Sequence, residues 1–148
     1  MEKDILKSSH TVMSYELDAF GHVNNAVYLN YLEKARNDFM IAKGLSFNDF
    51  FRWKKFPLVI RAALEFKSPA RAGDRLVING WISDHTATGF TLAYEIWNDS
   101  GSQLILRGET VHVFIDVGSR PTRIPSEFSE KFIHCASAPE LEEGDVNR

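Results

Sequence analysis

The sequence holds a single cysteine, Cys135, among 148 residues. That excludes an internal disulfide and a cysteine metal cluster, and a lone thiol in a late, peripheral segment fits packing or surface placement better than nucleophilic chemistry. The five histidines, His10, His22, His85, His112 and His134, lack the close spacing of metal ligands. No Gly-x-Ser-x-Gly elbow is present to raise a serine nucleophile, and the scattered glycines form neither a GxGxxG nor a Walker phosphate loop. No segment approaches the roughly 20 apolar residues of a membrane span, and the leading MEKDILKSSHTVM has no apolar run of secretory length. The expected location is cytoplasmic. A net charge of only -3 leaves no bulk electrostatic case for a nucleic-acid partner.

What is present fits one folded domain. The length matches a single core, and 44% hydrophobic with 25% charged residues is ordinary for a globular chain. The domain is expected over residues 1–135. The last residues, PELEEGDVNR, carry little apolar content, so 136–148 reads as a flexible acidic tail.

One stretch, Leu17 to Gly44, organises the rest. Asn24 or Asn25 is a suitable N-cap, and Val27, Tyr28, Tyr31, Leu32, Ala35 and Phe39 then recur at helical spacing opposite a polar stripe. Lys43 complements the dipole in the last turn, and Gly44 can adopt the left-handed conformation that closes a helix. A first strand is expected over 9–16. Ser46 and Asp49 form a capping signature for a short aromatic helix through Trp53. From Pro57 the pattern is β: 57–67, 75–84, 90–97 and 103–117, with a strong hairpin signal at Asn98 to Gly101, then a short helical stretch over 126–133. Strands following one another without crossover helices make an α+β fold, one long helix against a curved antiparallel sheet of five or more strands. Such a sheet leaves long edges, which predicts a homodimer or homotetramer.

Several residues carry chemistry or a plainer role. Asp18 stands just ahead of the helix, where it either caps the amides of its own turn or acts on a substrate whose developing charge is held by free helix amides. His22 is either a proton carrier or a satisfied turn histidine. Phe47, Phe50, Phe51 and Trp53 either roof the core or line an apolar tunnel. Arg61, charged among apolar neighbours, needs a partner such as Glu33 or Glu65, or a ligand. Arg52, Lys54, Lys55, Lys67 and Arg71 are either solvated cations or a seat for phosphates or an acidic partner. Glu33 is best paired with helix neighbours.

The run LDAFGHVNNAVYLNYLEKAR resembles the active-site segment of hotdog-fold thioesterases of the 4-hydroxybenzoyl-CoA thioesterase type, a group that includes acyl-CoA and acyl-ACP thioesterases. ALEFKSPARAGDRLVI is similar to that family's second strand and turn, and HVFID followed by RPTRIP to its last strand and exit. The resemblance implies a hotdog fold and hydrolysis of an acyl thioester to a free fatty or aromatic acid. It implies no cofactor, with coenzyme A or phosphopantetheine entering as part of the substrate, and a partner that is a small acyl thioester or an acyl carrier protein. Asp18 matches the catalytic carboxylate, as nucleophile or general base. The amides near Asn24 and Asn25 match the position that polarises the carbonyl, and His22 completes the expected catalytic group. The expected substrate-binding set is Val23, Asn24, Tyr28, Arg61, Ala62, Ala63, Lys67 and Arg71, with Arg61 to Ala63 facing the helix N-terminus of a second subunit. A helix glutamate serves as the catalytic carboxylate in a different branch, which makes Glu33 a second candidate there. The alternatives are a hotdog binding module that retains an acyl ligand, and a dehydratase, whose Asn-Pro pattern is missing because Ala26 follows Asn25.

Overall fold

The structure, a computed structural model, describes residues 5–134; Cys135 and the 136–148 tail lie outside the described residues. Strand β1 covers Leu6–Thr11, earlier and shorter than expected from the 9–16 pattern. The cause is Glu16, whose carboxylate accepts the Met13 amide at 2.7 Å and draws Ser14–Glu16 into a 3-10 turn.

Helix α1 spans Val27–Ala42, about 24 Å of axis at 1.5 Å per residue. It begins slightly later than the asparagine cap predicts. Ala26 already has helical dihedrals (φ -69, ψ -27), and the polar cap comes from Asn24, whose Oδ1 accepts the Ala26 amide at 3.0 Å. At the other end Gly44 takes φ +76. The Leu45 amide then reaches the Met40 carbonyl at 2.9 Å and the Gly44 amide the Ile41 carbonyl at 3.0 Å, a Schellman closure. Helix α2, Phe47–Trp53, starts at the expected Ser46/Asp49 capping box.

Strands β2 (Lys55–Phe66), β3 (Arg75–His85), β4 (Gly89–Asn98) and β5 (Leu104–Asp116) join β1 in one antiparallel sheet of order β1-β3-β4-β5-β2. The chain ends its described course in Ser126–Phe128 (α3) and a π-helical turn at Ser129–Ile133. Alternate residues of the strands, among them Leu76, Ile78, Leu92, Tyr94 and Ile96, are buried against Leu32, Ala35 and Phe39 of α1, as the period-two pattern requires. Gly80 fixes how closely helix and sheet approach: a Cβ there would lie 2.6 Å from the Phe39 ring, so bare backbone makes room for that side chain. Strand β2 is an edge. A bulge interrupts it between Val59 and Arg61, and Leu58 (50% exposed) and Ile60 (59%) face outward.

Candidate active site

The segment between the 3-10 turn and α1 folds into a tight loop. The Asp18 amide reaches the His22 carbonyl at 2.7 Å and the Gly21 amide the Asp18 carbonyl at 3.1 Å. Gly21 takes φ +80, a backbone that favours glycine. Two further bonds fasten the loop: Val23 N–H to the distant Ala70 carbonyl at 2.9 Å, and Asn24 N–H to the carbonyl of Glu16, in the preceding 3-10 turn, at 3.0 Å.

Asp18 performs the turn role open to it from sequence. Its Oδ1 accepts the Phe20 amide at 2.8 Å and the His22 amide at 3.2 Å. Those bonds lock the carboxylate and leave Oδ2 without a partner among the described residues. Half-buried Asp18 lines a hollow of about 250 Å³ with His22, Val23, Asn25, Tyr28 and Lys67. The Asn25 amide, two residues ahead of the first residue of α1, has no acceptor among the described residues. The hollow therefore joins an anchored carboxylate oxygen to a free backbone donor at a helix N-terminus, a pairing suited to attack on a carbonyl whose oxygen gains charge.

The remaining wall is Phe66, Ser68 and Pro69, which sequence reasoning did not select. Ser68 and Pro69 read only as the end of a strand, and nothing local predicts the Val23 to Ala70 bond that draws their turn over the helix. The Phe66 ring lies 5.6 Å from that of Tyr28. Tyr28 itself is buried, and burial pushes its hydroxyl above the usual phenol range.

Other expected residues fall elsewhere. Asn24 is exposed and spends its side chain on the cap. Arg61, Ala62 and Ala63 are exposed in the middle of β2, outside the hollow. Arg61 pairs across the ladder with Glu109 at 3.5 Å, not with Glu33 or Glu65, because register places Glu109 on the neighbouring strand. Lys67 pairs with Glu65 at 2.8 Å. Arg71 belongs to the Asp74 turn, beyond the hollow. Arg52 is held by both Asp49 and Glu127 at 2.8 Å.

A second, larger cavity of about 430 Å³ lies between α1, α2 and the sheet, walled chiefly by apolar groups such as Met40, Phe50, Phe90, Leu92 and Phe132. The aromatics of 47–53 thus do both things open to them. Phe50 is buried against Phe114 and Phe128, while Phe47 and Phe51 line this cavity and stay half or more exposed. Glu33 is exposed at the same cavity and outside the Asp18 hollow.

Beside this cavity runs a buried polar chain. Arg36 donates to the Tyr94 hydroxyl at 3.2 Å, which bonds Thr110 at 2.7 Å, which bonds His112 Nε2 at 2.7 Å. Burial, with the Arg36 charge nearby, pushes the His112 imidazole down to about 3. An exposed imidazole titrates near ~6.5, so between those values the unfolded chain binds a proton that the folded chain excludes. Stability is therefore expected to fall as pH drops below about 6.5, by up to about 1.4 kcal/mol per unit. Glu16 acts in the same direction at lower pH. Burial opposes its ionisation, but bonds from His10, the Met13 amide and the Tyr31 hydroxyl outweigh that and hold the carboxyl below the usual range. Melting temperatures measured from pH 7.5 to 4 should fall steadily, and His112→Phe, whose ring can keep the stack on Phe90 (4.6 Å), should flatten the decline between pH 6.5 and 5. A flat wild-type profile would contradict the buried neutral histidine.

Residues 12–132 match the sequence model of the Thioesterase-like superfamily. A chloroplastic acyl-acyl carrier protein thioesterase of Arabidopsis thaliana is 35% identical over 123 residues, which cover 83% of this chain and 65% of that protein; the chain thus spans under two thirds of that relative's length. The long-chain acyl-CoA thioesterase FadM of Escherichia coli is 29% identical over 125 residues, covering 81% of this chain and 91% of the relative. The crystal structure of a 1,4-dihydroxy-2-naphthoyl-CoA thioesterase from Synechocystis superposes with a TM-score of 0.80 at 24% identity, covering 86% of this chain and 95% of that one. These matches bear out the hotdog fold expected from the resemblance.

Proposed function

The chain belongs to the Thioesterase-like superfamily, and from that membership we propose that it hydrolyses the thioester of an acyl-CoA or acyl-carrier-protein substrate to a free acid and a thiol. The observation that carries the proposal is the hollow itself, where the unpartnered Oδ2 of Asp18 and the acceptor-free Asn25 amide share one wall. In one route Oδ2 attacks the thioester carbon, the thiolate leaves and takes a proton, and water then opens the resulting anhydride. In the other Oδ2 takes a proton from water as that water attacks. In both, the Asn25 amide holds the oxyanion. His22 borders the same space, with its amide bonded to Asp18, and is assigned to water or substrate contact. Lys67, in the wall of the hollow, and Arg71, in the turn beyond it, suit the phosphates of coenzyme A or of a phosphopantetheine arm, or the acidic face of a carrier protein. No group beyond the substrate's own thiol carrier is required. Among the described residues no helix is long and apolar enough to cross a membrane, and the proposal includes a cytoplasmic site of action.

A homodimer is part of this reading. The hollow meets β2 at Phe66 and the larger cavity meets it at Pro57 and Val59. On one chain those ends are about 23–30 Å apart at 3.3 Å per residue. Antiparallel pairing of two β2 edges exchanges the ends, so that the hollow of one copy adjoins the cavity of the other, and it covers the exposed Leu58 and Ile60. Ile60→Asp, at a position 59% exposed in the single chain, is expected to leave the fold intact, to yield monomers in light scattering, and to lower thioesterase activity about tenfold or more. A fully active monomer would overturn the shared site.

The decisive experiment is thiol release from matched panels of acyl-CoA and acyl-carrier-protein substrates. Turnover on at least one panel is expected. Tight binding of acyl thioesters with no thiol released would make the protein a binding module instead.

A further inference from the structure

The 430 Å³ cavity carries a polar feature that thioester cleavage at Asp18 does not use. Its logic begins with Arg36, which can only donate. The Tyr94 oxygen accepts from Arg36, so the Tyr94 proton must go to Thr110, its one other partner among the described residues. The Thr110 proton in turn has His112 Nε2 as its acceptor. A neutral imidazole that accepts at Nε2 carries its proton at Nδ1. His112 is 3% exposed, lines the cavity, and its Nδ1–H has no acceptor among the described residues. Half-buried Arg36 lines the same cavity with one hydrogen bond formed and no carboxylate at ion-pair distance among the described residues.

Two donors thus face a space that is apolar apart from the exposed Glu33, which is not at ion-pair distance from Arg36. Donors held next to hydrocarbon without an acceptor are costly, and a site so built discriminates against a ligand that lacks the matching oxygen. We propose that Arg36 and His112 form a donor pair that reads an acceptor oxygen on the buried part of the acyl group, so that the favoured substrates are oxo- or hydroxy-acyl thioesters rather than plain hydrocarbon chains. The inference rests on the hydrolase reading only for the thioester; the cavity's preference for an oxygen stands without it.

The test uses free acids, which need no turnover. Calorimetry with the full chain compares dodecanoic acid with a set of monohydroxy- and mono-oxo-dodecanoic acids bearing the oxygen at successive positions. At least one isomer is expected to bind about tenfold more tightly than dodecanoic acid. In Arg36→Met, which keeps the aliphatic stem, and in His112→Phe, that preference should shrink towards unity. Nitrogen-15 spectra of wild type should show the Nδ1–H tautomer of His112, a readout that survives if either variant fails to fold. Equal affinity for dodecanoic acid and every isomer, an unchanged preference in both folded variants, or an Nε2–H tautomer would each overturn the proposal. Absence of thiol release from any acyl thioester would instead strike the hydrolase reading and leave these results in place.

Discussion

Asp18→Asn is expected to lower kcat for thiol release by about two to four orders of magnitude, the range for loss of a positioned acid–base or nucleophilic group. The fold should barely notice. The Oδ1 atom that accepts the Phe20 and His22 amides has a direct counterpart in the asparagine carbonyl, so the turn that closes the 17–23 loop is retained. What the amide loses is the unpartnered second oxygen: an NH2 group neither attacks a thioester nor removes a proton from water. KM should move by no more than a few fold, since the carboxylate acts on the transition state more than on the bound thioester. Thiol-release kinetics and a melting curve on the same preparation separate the two effects. Full activity in Asp18→Asn would remove Asp18 from the chemistry. A large fall in melting temperature would instead show that the turn role dominates.

Phe39→Ala carries the largest expected cost in stability, about 3–5 kcal/mol. Phe39 has 0% exposure, stacks on Tyr94 at 6.5 Å, and fills the recess above Gly80. Removing it takes away the ring and leaves a void between helix and sheet. The complementary change, Gly80→Ala, places a methyl 2.6 Å from that ring and should cost about 1–3 kcal/mol as overpacking. The two effects are coupled by contact. In the Phe39→Ala background the clash disappears, so Gly80→Ala should be close to neutral there, and chemical denaturation of the four proteins gives the interaction energy directly. Additive losses would mean that α1 is held to the sheet by contacts other than this one.

The legible parts of this chain were those governed by neighbours in sequence. Helix α1, its closure at Gly44, the Ser46/Asp49 box and the four later strands all follow from spacing and from turn chemistry that act within a few residues. β1 was misplaced because a competing local bond, Glu16 to the Met13 amide, wins over β propensity where Tyr15 suggested a strand. Arg61 was assigned the wrong partner for a different reason: its true neighbour, Glu109, is 48 positions away and adjacent only through the β2–β5 register.

The candidate site divides along the same line. Asp18, its turn and the helix that follows were determined by the sequence alone, since amide bonding within residues 17–26 needs no tertiary help. That Phe66, Ser68 and Pro69 close the hollow, that Arg61 to Ala63 stand outside it, and that a proton-ordered chain from Arg36 to His112 ends on a separate cavity were decided only by the tertiary structure. Local hydrogen bonds and side-chain period are properties of a short segment. The meeting of a helix N-terminus with a turn some 45 residues later depends on how the whole sheet curls around α1 and on which remote amides find an acceptor there.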